Sequence, residues 1–175
     1  MRTMISMYKT VINLRDVFTK SKFGEVQLGQ SIDEVTNILG EPVGIHDNFG
    51  DDDEFNVRFL TYDSYEFWFI KYYDLSKEYK LSAFQNDSYN YPNTWKGTFT
   101  KNINIDFWIL EYGITLKQFE KILKEEGLNY IKYKEHETIY FEFENKAKIL
   151  FEYIEHLDSN ACTGWMFHPE KHFEE

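Results

Sequence analysis

Four consecutive acids, Asp51, Asp52, Asp53 and Glu54, follow His46 and Asp47 in a segment that also carries Gly44 and Gly50. Hard oxygen ligands of this type suit calcium. The alternating ligand spacing and fixed glycine of an EF-hand loop are missing, so the run reads first as a solvated loop, next as a partner contact and last as a metal site. His168 and His172 have the i, i+4 separation of a helical metal pair, but Pro169 stands between them, and His136 and His156 are scattered. Cys162, the only cysteine, has no neighbouring base or helix start to activate it and reads as a buried, inert thiol. Ser31 and Thr115 suit a helix cap better than a nucleophile, because Glu34 and Gln118 follow them at capping-box spacing. GxSxG, P-loop and dinucleotide glycine signatures are absent, so the common hydrolase, NTPase and Rossmann readings lack support. The expectation is a non-enzyme without a cofactor.

Those residues sit in a chain with a net charge of -11, which disfavours sequence-independent binding to nucleic acid or anionic membranes and makes a basic partner the natural complement. Aromatic residues make up 19% of it, too many for a disordered acidic chain and well suited to half-buried strands. A single cysteine allows no intramolecular disulfide and no Cys-based zinc site, which fits a reducing compartment. Residues 1–16 are punctuated by Arg2, Lys9 and Arg15, lack an apolar core and do not read as a signal peptide. The expected location is the cytoplasm.

Residues 29–39 recur loosely as residues 113–123 at a constant offset of 84, each copy pairing a capping box with an apolar stripe: Ile32, Val35, Ile38 and Leu39, then Leu116, Phe119, Ile122 and Leu123. Gly40 and Gly127 close the two helices. Strands are expected at 57–62, 65–72 and 79–84 after the first helix, and at 130–133, 138–144 and 148–154 after the second. Residues 103–109 read as a strand leading into the second helix, 4–18 as a helix or a strand, and the tail from Leu157 as aperiodic. The expected fold is therefore α+β: one domain over 1–175, built of two tandem helix-then-antiparallel-meander units at about 23–85 and 103–156. A linker spans about 86–100, and the helices pack on a sheet.

The string Val26-x-Leu28-Gly29-x-Ser31-x-x-Glu34-Val35-x-x-Ile38-Leu39-Gly40-Glu41-Pro42 resembles the helix-opening signature of a small bacterial module. That module is shared by the outer-membrane assembly lipoproteins (SmpA/OmlA) and the beta-lactamase inhibitor protein family. The resemblance implies a helix on an antiparallel sheet and, for the duplicated inhibitor, a concave binding face. The chain lacks the lipoproteins' signal peptide and lipobox cysteine and has too few cysteines for the inhibitor's disulfides, so no partner is carried over. By type, a small, acidic, aromatic-rich bacterial protein is similar to the immunity proteins that neutralise polymorphic or contact-dependent toxins.

Strand alternation then assigns faces. Tyr65, Phe67 and Phe69 oppose Glu66, Trp68 and Ile70; Ile139, Phe141 and Phe143 oppose Tyr140, Glu142 and Glu144; Ile149, Phe151 and Tyr153 oppose Leu150, Glu152 and Ile154. One face is core. The other mixes acids with Trp and Tyr, the types that anchor protein interfaces. The expected partner-binding residues are Glu66, Trp68, Tyr140, Glu142 and Glu152, together with Asp51, Asp52, Asp53 and Glu54. The partner expected from this composition is a toxin domain, a basic nuclease being the natural case, occluded stoichiometrically. A self-associating homodimeric or scaffolding module is one alternative, and an enzyme whose site is scattered in sequence is another.

Overall fold

The computed structural model describes residues 10–47, 55–72, 77–86, 98–110 and 113–169. In chain order the elements are β1 (Thr10–Asn13), α1 (Arg15–Lys20), β2 (Lys22–Phe23), β3 (Val26–Gln27), α2 (Ile32–Leu39), β4 (Gly44–Asp47), β5 (Phe55–Tyr62), β6 (Tyr65–Tyr72) and β7 (Lys80–Asn86). There follow β8 (Thr98–Thr100), β9 (Ile103–Asp106), α3 (Leu116–Glu125), β10 (Tyr130–Glu135), β11 (Thr138–Phe143), β12 (Ala147–Ile154), a 3-10 turn at Glu155–Leu157, and β13 (Ser159–Phe167).

The expected α+β class is corrected: strands dominate, and the architecture is not a layer of helices packed on a sheet. An eight-stranded antiparallel sheet runs in the order β10-β11-β12-β13-β7-β6-β5-β4. The described α-helices are short, with six, eight and ten residues. What lies over the middle of the sheet is largely more strand. Phe99 of β8 packs its ring 4.9 Å from Tyr65 and 5.3 Å from Phe23 of β2, and Phe23 in turn reaches Phe67 at 5.4 Å and Trp165 at 6.2 Å. β8 belongs to a small second sheet, β1-β9-β8, in which β1 and β9 run parallel.

The helices are nevertheless started as the sequence predicts. In α2 the amide of Glu34 donates to Ser31 Oγ at 3.3 Å and the amide of Ser31 donates back to the Glu34 carboxylate at 2.7 Å. In α3 the matching bonds are Gln118 N to Thr115 Oγ1 at 3.4 Å and Thr115 N to Gln118 Oε1 at 2.9 Å. Satisfying the orphan amides this way fixes where each helix begins. α3 ends where Gly127 takes φ +65 and Leu128 N returns to Leu123 O at 3.0 Å. Each helix buries a narrow stripe, Val35 and Leu39 or Phe119 and Leu123, and Phe119 meets Phe141 and Phe151 at 5.0 and 5.1 Å.

The large sheet consists of two four-stranded meanders, β4-β5-β6-β7 and β10-β11-β12-β13, joined where β13 pairs β7. Each was expected to have three strands. The fourth strand of the first half, β4, lies in the segment read as loop; the fourth of the second, β13, lies in the segment read as aperiodic tail. Ala161, Cys162, Thr163, Gly164 and Trp165 are all buried in β13, so the strand is covered on both faces and shows no period-two alternation.

Both halves anchor their helix to the last strand in the same way. Leu81 N donates to Gln30 O at 2.8 Å and Cys162 N donates to Ile114 O at 3.2 Å, each acceptor immediately preceding the helix cap. One residue further on, each last strand carries a bulge. Trp68 opposes Ala83 while Phe69 opposes Leu81, leaving Ser82 extra; Leu150 opposes Gly164 while Phe151 opposes Cys162, leaving Thr163 extra. Such bulges sharpen the local twist of the strand pair.

Candidate functional site

One row of directly opposed residues crosses all eight strands: Gly44, Thr61, Glu66, Gln85, Met166, Lys148, Glu142 and Ile131. Opposed residues in an antiparallel pair project to the same side, so the row defines the sheet face turned away from the Phe67, Phe69 and Phe151 core. Trp68 lies two residues from Glu66, Tyr140 two from Glu142 and Glu152 four from Lys148, which puts all five on this face. Glu66, Trp68, Tyr140, Glu142 and Glu152, far apart in sequence, therefore share one surface. Asp51, Asp52, Asp53 and Glu54 lie outside the described residues, as do His172, most of the linker and the side chain of His156.

Two aromatic stacks flank the row. His46, Phe59 and Trp68, on β4, β5 and β6, stack at 4.5 and 4.7 Å with interplanar angles of 20° and 22°. In the other half Tyr133 and Tyr140, on β10 and β11, stack at 5.1 Å and 14°. Cross-strand aromatic pairs contribute roughly 0.2–1 kcal/mol each and hold the rings upright on the face. The stacks lie on opposite sides of the central row, because β6 and β11 run in the same direction and Trp68 follows Glu66 whereas Tyr140 precedes Glu142.

The row's two carboxylates are held differently. Glu142 accepts from Lys146 Nζ at 2.8 Å and has Lys148 Nζ at 3.7 Å, and the Lys146 bond leads in holding its carboxyl below the usual range. Glu66 is held by neutral donors: its Oε2 accepts from Trp68 Nε1 at 3.0 Å and from Gln85 Nε2 at 2.8 Å. Glu152 accepts from the Thr138 hydroxyl at 2.9 Å.

Gln85 extends the network. Its amide nitrogen faces a carboxylate, so its oxygen points to His168 Nε2, 3.0 Å away, and that nitrogen must carry the proton. His168 keeps an exposed surface, and the protein atoms crowded around its ring, followed by the charge of Lys148, lower its pKa and favour the neutral form. Sequence reasoning missed Gln85, Met166 and His168, which lie just past the strand expected at 79–84 and in the segment read as aperiodic tail; no local pattern marks them. Lys148 was legible, sharing the parity of Leu150 and Glu152.

Elsewhere the chemistry is sparse. Cys162 is buried, and that burial pushes its thiol up to about 12, far from a nucleophile. Among the described residues no group of three or more His, Cys, Asp or Glu side chains can hold a metal ion, and no helix is long and apolar enough to cross a membrane. Comparison with protein-family models, curated proteins and solved structures returned no match.

Proposed function

We propose that the protein is a cytoplasmic immunity protein, a non-enzymatic inhibitor that binds a cognate bacterial toxin domain and neutralises it by stoichiometric occlusion. A basic nuclease is the natural partner for its charge. The observation that carries the reading is the single polar and aromatic face that brings Glu66, Trp68, Tyr140, Glu142 and Glu152 onto one continuous sheet. Such a face has rigid aromatic anchors and a polar surround, the composition of inhibitor surfaces. The net charge of -11 adds electrostatic steering toward a cationic domain.

The test is capture of partners from native lysate by tagged protein at low and high salt, with mass spectrometry, followed by a nuclease assay of the captured domain. A basic domain recovered one to one, released by salt and silenced by one equivalent of this protein is expected. A captured domain whose activity survives an equimolar addition would overturn the reading.

A self-associating module is the second reading, favoured by the sheet edges. Val43 and Ile45 at the β4 edge are 83% and 59% exposed, and Ile131 on the β10 edge is 64% exposed. Exposed edge strands pair readily with other chains. Mass that rises with concentration in the purified protein would favour it.

A further inference from the structure

Glu66 and Trp68 form a unit that recurs nowhere else among the described residues of the face. The carboxylate is oriented by two neutral donors on Oε2, and among the described residues no hydrogen bond reaches its Oε1 and no cation pairs with it. Lys148, on the same row, stands three strands away, roughly 14 Å at ordinary strand spacing. That exceeds the screening length of about 8 Å at physiological salt, and Lys148 lies beside Glu142 instead. The Glu66 carboxylate is thus fixed in position with an open acceptor and no cationic partner among the described residues.

The aromatic ladder beside it stops abruptly. His46, Phe59 and Trp68 are three near-parallel rings on successive strands, and the next strand opposes Trp68 with Ala83. A methyl group cannot continue a stack, so among the described residues the ring face of Trp68 turned toward β7 has no aromatic neighbour. A planar group entering there would rest on the indole with the Glu66 carboxylate at its edge. The group that fits both features is a guanidinium, which is planar, weakly hydrated, stacks on aromatic rings and donates to carboxylates along its edge. An ammonium answers the charge and not the stack.

We propose that Glu66 and Trp68 form the receptor for an arginine side chain of the protein partner, the guanidinium donating to Glu66 Oε1 while it lies against the Trp68 ring. The assignment rests on the inhibitor reading and names the chemistry of its central contact. Glu142, already engaged by Lys146 and Lys148, is not a second such receptor.

The test follows the indole N–H resonance of Trp68 in a proton–nitrogen correlation spectrum during titration with tri-arginine amide. Tri-lysine and tri-citrulline amides serve as comparisons. The expected result is a saturable shift of Trp68 with tri-arginine, at least tenfold weaker affinity for tri-lysine and no response to tri-citrulline. E66Q keeps an acceptor for the indole and should weaken tri-arginine at least tenfold, whereas E142Q should leave it unchanged. Equal affinity in wild type, E66Q and E142Q would mean general attraction to an acidic protein and would overturn the receptor. So would a concentration-dependent dimer abolished by E66Q, because a second copy would then be the occupant. Toxin neutralisation is measured separately: its survival without the titration response overturns the receptor alone, and its absence with the response intact overturns the inhibitor reading alone.

Discussion

A Cβ placed on Gly164 would stand 2.8 Å from the main-chain oxygen of Asn86. Gly164 lies in β13 and Asn86 in β7, so the seam between the two meanders is closed by a backbone approach that only glycine permits. The obstructing atom is main chain and cannot swing aside, and the same seam sets the line from Glu66 to Glu142, about 19 Å over four strand spacings.

Gly164→Ala should therefore destabilise the fold by about 1–3 kcal/mol, the usual cost of overpacking a filled interior. Urea denaturation reads the change as a lower midpoint at unchanged slope. Unaltered stability would mean that the two halves can separate slightly without loss.

The two capping boxes should part company in acid. Hydrogen bonds from the Ser31 amide and hydroxyl lower the Glu34 pKa below its ordinary 4.5. A lowered folded-state value means this stabilisation is present above the unfolded pKa and is lost as pH falls through the folded one. The stability difference between wild type and Glu34→Gln should hold steady from pH 6 to 8, by linkage, and shrink below about pH 4.5. Thr115→Ala removes a box built from neutral groups and should cost about 0.5–2 kcal/mol at every pH. A Thr115→Ala penalty that vanished in acid alongside the Glu34 effect would contradict the assignment.

Asn145 ties α1 to the β11–β12 turn across the longest hydrogen-bonded sequence separation in the described chain. Its Nδ2 donates to Val17 O at 2.7 Å and to Ser21 Oγ at 3.1 Å, and its Oδ1 accepts from Ala147 N at 3.1 Å. Asn145→Ala should cost about 1–3 kcal/mol, since it leaves part-buried partners unpaired. Hydrogen exchange should show the loss first in α1; uniform protection with unchanged stability would make the tie incidental.

Cys162 should be silent toward alkylating reagents in the folded protein. With its thiol buried and held up to about 12, labelling requires opening of β13. Labelling rates measured against urea should track global unfolding. Fast modification of the native protein would show that the centre of the sheet opens locally.

The legible parts of this protein were those encoded within a few residues. Ser31 with Glu34 and Thr115 with Gln118 announce helix starts because both partners of each bond lie three positions apart. β6 and β11 were readable because one side of each is core and the other is not, so Phe67 and Phe141 alternate with Trp68 and Tyr140; β12 kept the pattern at Lys148 and Glu152, although Leu150 between them is buried. β13 was unreadable for the opposite reason: Ala161 to Trp165 are buried on both sides. The overstated helical layer has a related cause, for a capping box says that a helix begins and is silent about what covers the rest of the sheet. That role falls to Phe99 and Phe23, which sit in strands too short to carry a period.

Sequence alone determined which side chains share a face within a strand, since alternation is a property of the local backbone. It thereby put Glu66 with Trp68 and Tyr140 with Glu142. Tertiary structure alone decided that these pairs lie on one surface, because that depends on β7 meeting β13 and on the register Gln85 to Met166, a contact between segments 81 residues apart in the chain. The β6–β7 register sets Gln85 beside Glu66 and leaves Ala83 at the end of the aromatic ladder, and the β7–β13 pairing brings His168 to Gln85. Side-chain direction is settled by neighbouring bonds, whereas strand neighbours are settled by which distant surfaces bury best together.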